Sequence, residues 1–128
     1  MNNEKRGSVS REEITSIIKQ QTVSGTLKWK ALEGKEGDYP NYSARFGKDY
    51  RLVIMQVERP VAFFKDLKEE GFVLAFQKGH YEKPLLIIEG DYESKLWKDL
   101  QDLYLTVDEK YNPFPVNAKK VFGFLKKK

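Results

Sequence analysis

Apolar residues recur at intervals of three and four along residues 96–111. Leu96, Trp97, Leu100, Leu103, Tyr104, Val107 and Tyr111 fall on one stripe of a helix. Lys95, Lys98, Asp99, Asp102 and Asp108 fall on the opposite side. A stripe of this width is stable only when docked, which predicts a long helix packed on a sheet. An apolar strand at 85–89 and a turn at Gly90-Asp91 lead into it. At the other end of the chain, Ser10 followed by Glu13 has the form of a capping box, and Val9 and Ile14 are spaced for a hydrophobic staple. These signals predict a helix over 11–22, with Gly25 as its stop. Its stripe of Ile14, Ile17 and Ile18 is narrow, so it covers an edge or end of the sheet rather than filling the core.

Between the helices the period changes to two. Leu27, Trp29 and Ala31 alternate with Thr26, Lys28 and Lys30, and Tyr42, Ala44 and Phe46 with Ser43 and Arg45, as half-exposed strands require. Residues 33–41, with two glycines and Pro40, read as a loop. Gly47-Lys48-Asp49 predicts a tight hairpin into a third strand over 50–58. Alternation disappears in Leu52-Val53-Ile54-Met55, the mark of a central strand covered on both faces. Residues 72–77 and 85–89 read similarly, joined by a turn at 78–84. Residues 59–71 are ambiguous. Pro60 and Gly71 bracket them as the start and stop of a short helix with Phe63, Phe64 and Leu67 on one face, which is the favoured reading. The alternative continues the strand through Val61 to Phe64. A final short helix over 118–125 is anchored by Val121, Phe122 and Leu125.

The expected architecture is therefore α+β: a roughly five-stranded, mainly antiparallel sheet with an N-terminal helix and a long C-terminal helix packed on it. Residues 1–9 are expected as a flexible N-terminus, 10–125 as one domain and 126–128 as a basic tail. No apolar run approaches the ~20 residues that span a bilayer, and the polar first ten residues lack a signal-peptide core. The net charge of +4 is a property of the end of the chain: residues 119–128 hold five lysines and no acid, leaving the rest at −1. A nucleic-acid-binding fold usually carries its basic stripe on the body, so that reading loses ground. The absence of cysteine removes thiol catalysis, thiolate metal sites and disulfides, and suits a reducing cytoplasm.

The remaining chemical inventory is sparse. His80, the single histidine, sits in a predicted turn with no nucleophile motif and no second nitrogen or sulfur ligand for zinc. Gly34, Gly37, Gly71 and Gly79 do not form a phosphate-cradling loop. No catalytic, cofactor-binding or metal-binding residue is assigned, and no cofactor is expected. Trp29 and Trp97 read as core. Tyr39, Tyr42, Arg45 and Lys48, together with Phe63 and Phe64, have the composition of a protein-binding surface, because tyrosine and arginine anchor interfaces; they would also suit stacking on single-stranded bases.

Two resemblances add to this. The segments Val57-Glu58-Arg59-Pro60 and Tyr81-x-Lys83-Pro84-Leu85-Leu86-Ile87-Ile88-Glu89 resemble the core of XPF-type excision nucleases, within the PD-(D/E)xK order of helix, three strands, helix and strand. That resemblance implies a metal held by Glu58 with Asp38 or Asp49. However, Pro60 stands where such enzymes need lysine, so it implies at most an inactive relative. Over residues 12–111 the chain is similar to a loose set of short uncharacterised bacterial and phage proteins. The likeness is carried by Gly25-Thr26-Leu27-Lys28-Trp29, Tyr42-Ser43-Ala44 and Leu100-Gln101-Asp102-Leu103-Tyr104. It implies an α+β meander and no catalytic residue. The expected function is a small non-enzymatic cytoplasmic interaction protein, of the accessory-inhibitor, anti-defence or immunity kind, binding a protein partner. The alternatives are a nucleic-acid-associated protein and a small-ligand sequestering protein. A homodimer is expected, with Phe63, Phe64 and Phe72 at its interface, and no membrane partner.

Overall fold

The computed structural model describes residues 9–32, 40–61, 64–79 and 83–112. The elements are α1 (Arg11–Ser24), β1 (Trp29–Ala31), β2 (Tyr42–Phe46), β3 (Tyr50–Val61), β4 (Phe64–Lys78), β5 (Leu86–Glu89) and α2 (Lys95–Tyr111). The five strands form one sheet in chain order, each antiparallel to the next. This is the α+β meander that the hydrophobic pattern predicts. Among the described residues, no helix is long and apolar enough to cross a membrane.

Both helices begin on serine caps. The Ser10 hydroxyl accepts from the Glu13 amide at 3.0 Å, and the Ser94 hydroxyl accepts from the Trp97 amide at 3.1 Å. Gly25, at φ 85°, closes α1 and donates to the Thr22 carbonyl. The two helices lie side by side and run in the same direction. Lys19 pairs with Asp102 near their middles, and Lys110 Nζ donates to the Thr22 carbonyl (3.2 Å) near their ends.

Register explains the core. Two rows of side chains cross the sheet on the helix-facing side: Trp29, Ala44, Leu52 and Phe76, then Ala31, Tyr42, Ile54, Leu74 and Ile88. Against them α2 lays Leu96, Trp97, Leu100, Leu103, Tyr104 and Val107, all buried. The polar tips of these aromatics find backbone acceptors, as buried polar atoms must. Trp97 Nε1 donates to Glu70 O (2.8 Å), Tyr104 OH to Pro40 O (2.6 Å) and Tyr111 OH to Leu27 O (3.3 Å). Helix α1 contributes Ile18 and packs against α2 and the β1 edge, where Trp29 Nε1 donates to the buried Thr22 hydroxyl at 2.8 Å.

Three expectations are corrected. Residues 59–71 contain no short helix: β3 and β4 are strands of 12 and 15 residues that continue together past the rest of the sheet. β2 leaves β3 at Ile54 and β5 leaves β4 at Val73, so the ends of β3 and β4 project as a two-stranded ribbon. Pro60 is tolerated there because a ribbon has an open side with no ladder bond to lose. Gly71 is no helix stop. A Cβ at that position would come within 2.7 Å of Arg59 Nε, so Gly71 is the slot into which Arg59 folds on its way to Glu89 (3.4 Å) and the Gly90 carbonyl (3.2 Å). Phe72 is not an interface residue either. It is buried against Trp97 and Tyr104, with ring centroids 5.4 and 5.6 Å away. Finally, both described helices pack on one face, and among the described residues no helix covers the other face of the central strands.

Candidate functional site

The sheet face turned away from the helices is zoned. The row Lys30, Ser43, Val53, Ala75, Ile87 runs from a cation at the β1 edge to an isoleucine at the β5 edge. In the next row, Arg45 lies directly opposite Arg51, and Arg51 opposite Gln77. Strand alternation puts Lys28 on the same side, just before β1 begins. The turn between β2 and β3 brings up Lys48, and Gly79 at the end of β4 is tied to that turn by its N–H to the Asp49 carbonyl (2.6 Å). The result is a groove of about 680 Å³ that Lys28, Lys30, Arg45, Lys48 and Arg51 line together with, among the described residues, a single carboxylate, Asp49.

This placement works against fold stability. Like charges directly opposed across antiparallel strands are unfavourable, and Arg45 and Arg51 are such a pair. The four ion pairs among the described residues are Lys19–Asp102, Arg59–Glu89, Lys68–Glu58 and Lys95–Asp99, and none of them includes a groove cation. Arg51 is held by Gln77, whose Oε1 accepts from Nε at 3.1 Å and Nη2 at 2.6 Å. That contact fixes its guanidinium without neutralising it. Local rules of stability are broken in natural chains chiefly where function requires it.

Of the residues with interface composition, the structure brings Arg45 and Lys48 into this groove. Tyr42 faces the other way. It is completely buried, and its hydroxyl donates to Asp108 at 2.5 Å, so it belongs to the core and not to a partner surface. Tyr39 and Phe63 lie outside the described residues, as do His80, the 118–125 segment and the basic tail; Phe64 belongs to β4. Lys28, Lys30 and Arg51 complete the site. Alternation already places the two lysines on one face, but joining them to Arg45 and Arg51 requires the pairing of β1 with β2 and of β2 with β3.

Metal chemistry at the nuclease-like positions has little geometric support. Glu58 and Asp49 are separated by nine positions along one extended segment, about 30 Å at ~3.3 Å per residue. Glu58 instead meets Lys68 at 3.7 Å on the exposed ribbon, and Asp38 lies outside the described residues. Among the described residues, no three His, Asp or Glu side chains gather in a group that could hold an ion. The described order also places five strands in succession between the two helices, which differs from the nuclease order. The helix–sheet interface, where a sequestered ligand would need room, is filled by Leu100, Leu103, Val107, Ile54 and Leu74, each fully buried. Compared with protein-family models, curated proteins and solved structures, the chain matches none, so its function has to be argued from the groove itself.

Proposed function

We propose that the chain is a small non-enzymatic binding protein of the cytoplasm whose principal ligand is the phosphate backbone of a nucleic acid, held in the groove at the β1 side of the sheet face turned away from the described helices. The observation that carries this reading is the convergence of Lys28, Lys30, Arg45, Lys48 and Arg51 on one concavity with, among the described residues, one carboxylate. Clustered cations release condensed counterions when they meet phosphates, and this supplies sequence-independent affinity. The body of the fold therefore carries the basic footprint that net charge alone located in the tail. A protein of the expected accessory or anti-defence kind would act here by occupying nucleic acid rather than by cutting it.

Fluorescence anisotropy with labelled oligonucleotides tests this directly. Affinity should fall with salt, with a log–log slope of about −3 over a range of ~50 to 300 mM, as for four or five neutralised phosphates on a single strand. The triple variant Lys28→Glu, Lys30→Glu, Arg45→Glu should abolish binding. Added Mg²⁺ should leave the oligonucleotide intact. Absence of salt-dependent binding, or binding that survives the triple variant, would return the groove to an acidic protein partner.

A second observation favours a contact with another protein, which we take to be a second copy of the chain. The edge strand β5 and the residue before it expose Leu85 (61%), Leu86 (37%) and Ile87 (47%). Such an edge, on whose outer side no described strand pairs, is a template for strand addition. Antiparallel pairing of two β5 strands about Leu86 would set Lys83 opposite Glu89 of the other copy and Leu85 opposite Ile87.

A further inference from the structure

We propose that Gln77 is a positioning residue of the groove: it holds the Arg51 guanidinium as a charged fork whose open end takes two oxygens of one phosphate, and it can do so because it is neutral. This proposal rests on the phosphate-binding reading above and adds to it the residue that sets one of the phosphate contacts.

Arg51 and Arg59 both belong to β3 and, an even number of positions apart, share a face of it. Their partners differ. Arg59 lies opposite Glu69 on β4 and reaches Glu89 at 3.4 Å, so its charge is answered by carboxylates. Arg51 lies opposite Gln77, which answers it with an amide. A glutamate there would add a favourable cross-strand ion pair. The chain forgoes that pair at the arginine that lines the groove and keeps it at the arginine that does not.

Gln77 is half-buried and acts through Arg51 rather than on the ligand, because it is not among the groove-lining residues. Its Oε1 accepts from Nε at 3.1 Å and from Nη2 at 2.6 Å, so the Nε–Nη2 side of the guanidinium is occupied. The Nη1–Nη2 end keeps its remaining N–H groups for a ligand. A fork of that kind meets two phosphate oxygens with parallel bonds. Two groups compete for Arg51 once Gln77 lets go. Arg45, directly opposite on β2, repels it, and Asp49, in the same groove, attracts it. Either draws the guanidinium away from a ligand, and Asp49 would also neutralise it. Fixing a long side chain beforehand removes an entropic cost from binding. A carboxylate at position 77 would fix Arg51 as well, but it would cancel the charge that displaces counterions.

Anisotropy titrations of a labelled oligonucleotide test the role, with thermal melts by circular dichroism to confirm that each variant is folded. Gln77→Leu should bind about 2- to 10-fold more weakly than the parent chain with the salt slope unchanged, because Arg51 keeps its charge. In an Arg51→Ala background the same substitution should change nothing further, since Gln77 acts only through Arg51. Gln77→Glu, nearly identical in shape, should weaken binding more than Gln77→Leu and flatten the log–log salt slope by about 0.7, one phosphate on a single strand. Gln77→Ala takes the place of the leucine variant if that one does not fold. A folded Gln77→Leu that binds as well as the parent, an equal loss with and without Arg51, or a Gln77→Glu that binds like the parent overturns the positioning role while leaving phosphate binding in place. A parent chain without salt-dependent binding overturns phosphate binding itself.

Discussion

Tyr42 shows how a residue with interface chemistry becomes structural. Its place beside Pro40 and near Arg45 gives it the look of a binding residue. Yet its alternation with Ser43 and Arg45, visible in the sequence, already assigns it to the face shared with Ala44 and Phe46. Burial, reinforced by donation of its hydroxyl to Asp108, holds the phenol well above the ordinary tyrosine value of about 10. The folded state thus keeps this proton at pH values where the unfolded chain releases it. The associated stability is fully present below pH ~10 and is lost as pH rises above it. Urea melts across that range should show stability falling by up to ~1.4 kcal/mol per pH unit above pH 10 from this group. Tyr42→Phe should fall less steeply, and identical slopes for the two chains would remove Tyr42 from the account.

Among elements, α2 is the one most legible in sequence, because its apolar stripe spans four turns and needs only the 3.6-residue period to be recognised. Trp97 is one of its heavily engaged members. The ring meets Phe72 and Tyr92, and its indole N–H reaches across to the Glu70 carbonyl. Trp97→Ala should therefore cost ~3–5 kcal/mol in denaturant melts, the usual range for a buried tryptophan. A cost below ~1 kcal/mol would mean that α2 does not dock through this residue. The β3–β4 ribbon was much less legible. Lys65, Asp66, Lys68, Glu69 and Glu70 carry charges at helical spacing, and Pro60 with Gly71 mimics helix punctuation. What keeps the segment extended is non-local: the continuous register from Tyr50↔Lys78 to Pro60↔Lys68, and the passage of Arg59 over Gly71.

At the scale of the molecule, the order of elements could be read from the chain, but the groove could not. Its cations come from the approach to β1, from β1 and β2, from the turn after β2, and from β3. No window of sequence holds them together, and bulk charge pointed instead to the last ten residues. On the proposed reading, the two halves of the sheet face turned away from the described helices take different partners: cations toward nucleic acid at the β1 side, and Leu85 and Ile87 toward a second copy at the β5 side. Light scattering at micromolar concentration should accordingly report about twice the 15.0 kDa chain mass. Ile87→Lys, at a half-exposed position, should return a folded monomer. A wild-type monomer under the same conditions would leave the β5 edge without the proposed contact.

The parallel run of α1 and α2 has an electrostatic consequence. Peptide dipoles give each helix roughly half a negative charge at its C-terminal end. Antiparallel neighbours would offset one another; these two bring both negative ends to the same corner, beside Gly25 and Asn112. Helix α1 has no basic residue in its own last turn. Lys110 of α2 serves instead, because its ammonium sits in the last turn of its own helix and donates to a C-terminal carbonyl of the other. One cation thus compensates two macrodipoles, and it couples the two described helices.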